Sequence, residues 1–463
     1  MKILFTSIIF IIYTCAIAQT QLGYNEFIEN VKKNYPLITR ANNISTIGNI
    51  QYQSARGGYD PFLTSDYENK YFNSTNYYSI FDAKIKQPIY TSQYITAGYQ
   101  HTQGAYLNPQ NYLPSNGTPF IGVEASLLQG LTIDKRRADV LKGAGYKDYY
   151  EAEKNTITNT VLFQASVAYF DWVFSCKELS LYNFFSAQAY QRFLAIKTLS
   201  EVGEYATIDS IEANILYETR NLDRQSIVIE NQKKASEIIG LTWGENNQTT
   251  SYTTNLQLQD SLETYYAKSK VRYYTLIQDS TNNNPILDQY QAYQTILNVD
   301  KKYKAELIKP KLDISYNFLS NNINGFENSF NSNNYKWGVN FSAPLFLRTS
   351  RNDLKISKLH ASNNQLELSN KTNELNIKVE VLKTNTELII KQLVNAEKNA
   401  HYSKLLLDAE KEKFTQGESS LFLLNTRETK WMEAELKLAD YKLKFIKNVL
   451  EMEYTKGEML YEL

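Results

Sequence analysis

The residues able to do covalent or metal chemistry are few and scattered. There are three histidines, His101, His360 and His401. They fall in different elements with no ligand spacing, so a metal centre or a nucleophilic triad lacks its parts. Cys15 lies in the extreme N-terminal stretch, and Cys176 is the only cysteine beyond it. That leaves no intramolecular disulfide and no cysteine metal cage. Cys176 sits in a helical pattern and reads as a small packing residue. Gly143-Ala144-Gly145 also lies inside a helix pattern and is too short for a dinucleotide fingerprint, and there is no phosphate loop or nucleophile elbow. No catalytic residue, cofactor or metal is expected, and the chain does not read as an enzyme.

The elements that remain must therefore carry the function, and the leader says where they act. Lys2 supplies a positive start, Ile3 to Tyr13 form an apolar run, and Ala16-Ile17-Ala18 is a small-x-small cleavage site before Gln19. This is the pattern of a signal peptide over residues 1–18, too short for a membrane-spanning helix. Tyr13 and Thr14 are poor neighbours for a lipidated Cys15, so cleavage after Ala18 is the expectation. Without the leader the chain carries 48 basic and 49 acidic residues. That balance does not point to nucleic acid, and no basic block suggests a polybasic anchor. Beyond the leader no apolar run reaches 18 residues, so a bilayer could be crossed only by a closed barrel.

Matched spacings indicate an internal duplication. Pro36 precedes Pro61 by 25 residues, and Pro285 precedes Pro310 by 25, at an offset of 249. Arg137 precedes Gly203 by 66 residues, and Arg351 precedes Gly417 by 66, at an offset of 214. The two offsets differ by 35 residues, all of it between Pro61 and Arg136. The first copy thus carries about one additional long hairpin in its strand region.

Alternation marks those strand regions. Leu312, Ile314, Tyr316 and Phe318 alternate with Lys311, Asp313, Ser315 and Asn317. Trp337, Val339, Phe341 and Leu345 fall on one parity, Lys336, Asn340 and Ser342 on the other. Phe81, Ala83 and Ile85 alternate with Asp82, Lys84 and Lys86. Period two with one charged and one apolar face is the half-buried strand pattern. A water-soluble sandwich would give the same alternation, while a barrel with aromatic girdles suits an exported chain with 36 tyrosines.

The rest reads as helix. Val161, Ala165, Ala168, Trp172, Ser175, Leu179 and Tyr182 recur at steps of four and three, as do Trp431, Ala434, Leu438, Tyr441 and Phe445. Sustained heptads predict coiled-coil packing. The stretches before Gly203 and Gly417 predict helices of roughly 100 Å, each followed by a turn and a returning helix that ends near Gly240 or Gly457. The resulting division is leader 1–18, first repeat 19–241, a polar equatorial connector 242–275, and second repeat 276–463.

With these features in place, nearly the whole mature chain resembles the TolC-like outer membrane efflux proteins. The carrying features are the leader, the tandem repeat, the strand end Ser342-Ala343-Pro344-Leu345-Phe346 with Arg351, and its weaker copy Ser126-Leu127-Leu128-Gln129-Gly130 with Arg136 and Arg137. The tip motif at Gly203 recurs from Phe414 to Gly417. The resemblance implies an α+β membrane protein with β-barrel strands continuous with a long antiparallel coiled-coil α-helical barrel, two tandem repeats and a homotrimer. It implies a passive channel-tunnel of the outer membrane, with helices in the periplasm, serving an inner-membrane efflux pump or secretion transporter through a periplasmic adaptor.

The resemblance also locates a gate. Family members carry acidic residues six and nine positions after the second tip glycine, where this chain has Leu423 and Thr426. The equivalent first-copy positions are Asp209 and Glu212. The expectation is a mixed constriction, narrowed by Leu423 and charged by Asp209, Glu212 or Arg427, near the tip glycines Gly203 and Gly417. The extra hairpin, near residues 77–106, either widens the barrel or stands as an extracellular flap. In a barrel wall, Asp82, Lys84 and Lys86 would face the lumen. The competing assignment is a periplasmic coiled-coil adaptor or scaffold, which would carry one helical hairpin rather than two.

Overall fold

The computed structural model describes residues 21–89, 92–244, 256–278, 283–320 and 330–460. The leader with Cys15, and residues 245–255 of the connector, lie outside the described residues. In chain order the elements are β1 (Gln21–Leu22), α1 (Tyr24–Asn34), α2 (Pro36–Arg56), β2 (Phe62–Phe72), β3 (Thr75–Pro88), β4 (Gln93–Gln103) and β5 (Thr118–Ser126). Next come α3 (Lys135–Glu201), α4 (Thr207–Leu241), β6 (Gln257–Leu258), α5 (Leu262–Gln278) and α6 (Pro285–Glu306). The chain finishes with β7 (Lys311–Ser320), β8 (Phe330–Ser342), α7 (Arg348–Thr415) and α8 (Leu421–Lys456). Helices at matching places have nearly equal lengths: 21 and 22 residues for α2 and α6, 67 and 68 for α3 and α7, 35 and 36 for α4 and α8.

The chain divides into two compact units, and α3 and α7 each run from one into the other. The first unit, residues 40–157 and 283–376, holds one six-stranded sheet of order β2-β3-β4-β5-β7-β8. Every pairing in it is antiparallel. A two-residue turn links β2 to β3, with Asn73 and Ser74 both at positive φ (48° and 58°), the geometry that matches strand twist in tight hairpins. At the foot of the sheet, the buried carboxylate of Glu306 accepts from the Gly130 and Thr132 backbone N–H groups at 3.1 and 3.4 Å and from the Thr132 hydroxyl at 2.6 Å. It also pairs with Lys309 at 2.7 Å. These bonds tie the β5–α3 link to the α6–β7 link, so both strands leave the helices at a fixed point.

The second unit comprises the described parts of 1–39, 158–282 and 377–463. The heptad stripe of α3 is its inner face: Val161, Ala165, Trp172 and Ser175 are buried. On α8 the expected stripe is buried at Ala434 and Phe445 and half-buried at Trp431, Leu438 and Tyr441, and the buried surface beside it adds Met432, Ala439, Leu443, Ile446 and Val449. Each of the larger aliphatic side chains among them contributes about 1.5–3 kcal/mol when fully buried. The polar average of the connector conceals a helix, since Leu262, Tyr265, Tyr273 and Leu276 share one face of α5 and are buried. Tyr273 and Leu276 pack with Leu382, Leu393, Phe445, Val449 and Met452. Beside them, the Tyr169 hydroxyl lies 2.9 Å from that of Tyr265 and donates to the Leu22 carbonyl at 3.0 Å, where β1 pairs parallel with β6.

Both returning helices end near the expected glycines. Gly457 caps α8 at φ 78° as a left-handed residue, and α4 ends at Leu241, one residue past Gly240. There the chain leaves the helix at Thr242, whose hydroxyl donates to the Ile239 carbonyl at 3.0 Å.

Candidate functional site

Residues paired across an antiparallel sheet point to the same side, so the register sorts every strand residue onto one of two faces. One row crosses all six strands as Leu63, Ile85, Ala97, Ile121, Phe318 and Tyr335. The adjacent row on the opposite side reads Phe62, Lys86, Thr96, Gly122, Asn317 and Lys336. Extended along the paired residues, the second face carries Asp66, Glu68, Asp82, Glu124 and Asp313 with Lys70, Lys84, Lys86, Lys311 and Lys336. The first face carries no Asp, Glu, Lys or Arg among the paired residues.

Exposure runs against what water would favour on the inner strands, β3 to β5. There Ile85, Ile95, Ile121 and Val123 of the charge-free face are 42–51% exposed, whereas Asp82, Lys84, Lys86 and Glu124 are half-buried; Asp66, Glu68, Lys70, Lys311 and Lys336, on β2, β7 and β8, are exposed. Asp82 accepts from Gln100 at 2.7 Å, Lys86 pairs with Glu124, and the Lys86 ammonium also lies 4.1 Å from the Tyr94 ring centroid. The three residues read as a charged strand face thus lie together on one side of the sheet, where Lys86 is ion-paired with Glu124 and Asp82 is bonded to a neutral amide. The hairpin β3–β4 sits in the middle of the sheet, bonded on both sides.

The helix turns are built alike. Gly203 and Gly417 have φ of 82° and 79°, a conformation that costs an L-residue with a side chain about 1–2 kcal/mol. At each, the glycine N–H donates three residues back, to Ser200 or Phe414, and the next N–H donates five back, to Leu199 or Lys413. This double bond closes the last carbonyls of α3 and α7. Ser420 then starts α8 by accepting from the Leu423 N–H at 3.3 Å, while Ala206 starts α4 with no side-chain cap. Ile196, Ala213 and Leu421 form a small core between the turns, flanked by Phe193, Tyr205 and Phe414.

Around that core the expected gate residues separate. Glu212 accepts from Asn425 at 3.4 Å. Arg427 pairs with Glu410 of α7 at 3.7 Å, and Glu410 also accepts from Ser419 at 2.5 Å. Leu423 is 36% exposed, and Thr426 turns its hydroxyl back to the Phe422 carbonyl at 2.8 Å. Asp209, in the first turn of α4 where the helix dipole favours an anion, joins none of these pairs. Sequence reasoning missed the tightest link at this end. Arg192 of α3 donates to Asn425 at 2.7 Å and pairs with Glu428, which is 2% exposed. Its signal was available, because Asn425 and Glu428 are polar residues on the face that buries Leu421, Leu424 and Met432.

Cys176 is half-buried, accepts from Asn231 at 3.2 Å, and has its thiol pKa pushed up by burial, which is inert packing chemistry. Among the described residues no helix is long and apolar enough to cross a membrane.

No protein-family model and no curated protein sequence matches the chain. Solved structures do. The Campylobacter jejuni CmeC outer membrane channel is matched with a TM-score of 0.64 at 13% identity, over 94% of this chain and 85% of that one. The outer membrane protein VceC from Vibrio cholerae matches with 0.64 at 12% identity, over 94% and 95%. The open state of the Neisseria gonorrhoeae MtrE outer membrane channel matches with 0.62 at 12% identity, over 94% and 89%. The chain thus shares the fold of these outer-membrane channels.

Proposed function

We propose that this protein is an outer-membrane channel-tunnel, a homotrimer that passively conducts substrates from an inner-membrane efflux pump or secretion transporter to the exterior. The observation that carries the reading is the division of the sheet into an exposed face without charges and an opposite face holding all ten. An exposed row of apolar side chains that crosses six strands, on a face with no Asp, Glu, Lys or Arg, marks a surface built to meet something other than water and suits the lipid side of a barrel, with the charged side wetting the lumen. An adaptor working wholly in water has no use for such a face.

The helical unit supports the same reading. Ile208, Ile211, Ile215, Leu222 and Ile229 on α4 recur at three, four and seven residues and stay exposed, a seam for a helix of another copy. The tip turns serve as the periplasmic end, where an adaptor docks. There Leu423 narrows the path, and the charge beside it comes from Asp209, Glu212 or Arg427. Glu212 and Arg427 are held by partners on neighbouring helices, and opening the tip must exchange those bonds. No step is catalytic, because the transporter supplies the energy and the channel supplies a continuous wet path.

Membrane fractionation with heat-modifiable migration tests the proposal. The expected result is an outer-membrane species that runs as a trimer unheated and as a monomer after boiling. A soluble monomer would overturn it.

A further inference from the structure

Among the described residues the six-stranded sheet ends at two outer strands, β2 with 11 residues and β8 with 13, with no further strand beside either. In lipid a sheet edge cannot be left open, because its backbone N–H and C=O groups find no water to bond. The sheet must therefore be completed by further strands. Because the strand count is even and every neighbour is antiparallel, β2 runs away from the helices and β8 runs back toward them. A β8 edge can thus accept the β2 edge of an identical chain without breaking the alternation.

Resting on the channel reading, we infer that β8 of each copy pairs with β2 of the next, and that β3 and β4 belong to the wall, so that three copies close a barrel of eighteen strands. Two observations argue for this over a hairpin that stands clear of the membrane. First, the outward face of the added hairpin holds no Asp, Glu, Lys or Arg, as on the other four strands: Phe81, Ala83, Ile85, Ile95, Ala97 and Tyr99 form its middle, with Gln87 near the helix-proximal end and Ser79, His101 and Gln103 at the far end. A flap in water has no need of that. Second, the two edges are complementary. Glu68 on β2 and Lys336 on β8 lie on the same charged face. Each is six residues from the helix-proximal end of its strand, at Phe62 and Ser342, so level strand ends bring the two charges together across the seam.

The consequence is bore. Barrel diameter grows roughly linearly with strand number, so eighteen strands enclose a lumen about half as wide again as twelve, the class that leaves an open aqueous channel. Its wall is electrically even, with five acidic and five basic residues per chain. A wide, charge-balanced mouth fits bulky or mixed-charge cargo and gives no ion preference of its own.

Cysteine pairs in a Cys176→Ser background test the seam. Lys336→Cys is combined in turn with Asp66→Cys, Glu68→Cys or Lys70→Cys, to cover small staggers. On oxidation of the membrane-inserted protein, at least one pair is expected to give dimer and trimer bands that collapse on reduction. Two arrangements would overturn the inference. A Gln100→Cys/Lys336→Cys cross-link between copies would put β4 at the seam. An Asp66→Cys/Phe120→Cys cross-link within one chain would put β2 directly against β5, with the hairpin expelled. Absence of every β2–β8 cross-link in a protein that still migrates as an outer-membrane trimer would also overturn it, while leaving the channel reading intact. Failure to form any membrane oligomer would instead count against the channel itself. Exclusion of neutral polymers from single channels gives a second readout, with a cut-off matching a bore of roughly porin width expected.

Discussion

The sheet and α4 both leave apolar side chains in the open, and they do so in different shapes. On the sheet, Leu63, Ile85, Ile121, Phe318 and Tyr335 form one row of a face that spans all six strands and carries no charge. On α4 the exposed residues Ile208, Ile211, Ile215, Leu222 and Ile229 form a stripe, with Glu218 and Asn221 among the residues between them. A broad, charge-free face suits a solvent that is itself apolar. A narrow stripe at heptad spacing suits a single partner helix. Exposure alone does not separate lipid from protein as the missing neighbour, but the width of the surface and its charge do.

The strongest way to break that contrast is to charge the broad face. Val339→Lys is expected to cost about 2–4 kcal/mol if the residue sits at mid-bilayer, seen as loss of the folded, heat-modifiable species in lipid or detergent. Ser315→Lys, on the opposite face, is expected to leave that species in place. Equal tolerance of both would remove the lipid assignment. Charging the stripe should act on association instead. Ile215→Lys forfeits roughly 1.5–3 kcal/mol of burial at a helix seam, so the trimer should weaken in dilute detergent while membrane insertion persists. Loss of insertion would mean that the stripe and the face share a solvent.

A smaller effect concerns the helical unit alone. Glu178 of α3 has its carboxyl pKa pushed up to about 7 from 4.5, first by burial and then by Asp440 and Glu230. The folded state favours the neutral acid. Its stabilising contribution is therefore complete below about pH 4.5 and is lost as pH rises through about 7. Glu178→Gln keeps a neutral group, so its thermal stability should gain on the parent as pH rises from about 5 to 8. A parallel pH profile for the two proteins would show that Glu178 is solvated. The mildest change is Leu423→Ala, expected to raise single-channel conductance without altering the amount of trimer. Unchanged conductance would remove Leu423 from the constriction.

Local pattern carried much of this molecule. The strand alternation at Lys311 to Phe318 and the heptads of α3 and α8 were legible because each repeats a single period over many residues. Gly203 and Gly417 were legible because a left-handed helix end favours glycine. The connector helix α5 was not, since its four buried residues are diluted by threonine, lysine and serine. The end of α4 was legible to within one residue, at Leu241 beside Gly240, but its cap was not, because it is a threonine hydroxyl that bonds back to the helix. Asn425 and Glu428 were legible as polar residues on a buried face of α8, but their partner Arg192 was not, because it lies 236 residues from Glu428 in sequence and no local rule selects a partner at that distance.

By itself, the sequence determined that this protein has charge-segregated strands, very long helices and two glycine turns, because each depends on neighbours within a few residues. Tertiary structure alone decided that the extra hairpin lies inside one continuous sheet, that all ten strand charges share one face, and which tip charges are already paired. Those outcomes depend on strand register and on contacts across hundreds of residues, where a shift of one position would turn every side chain to the other side.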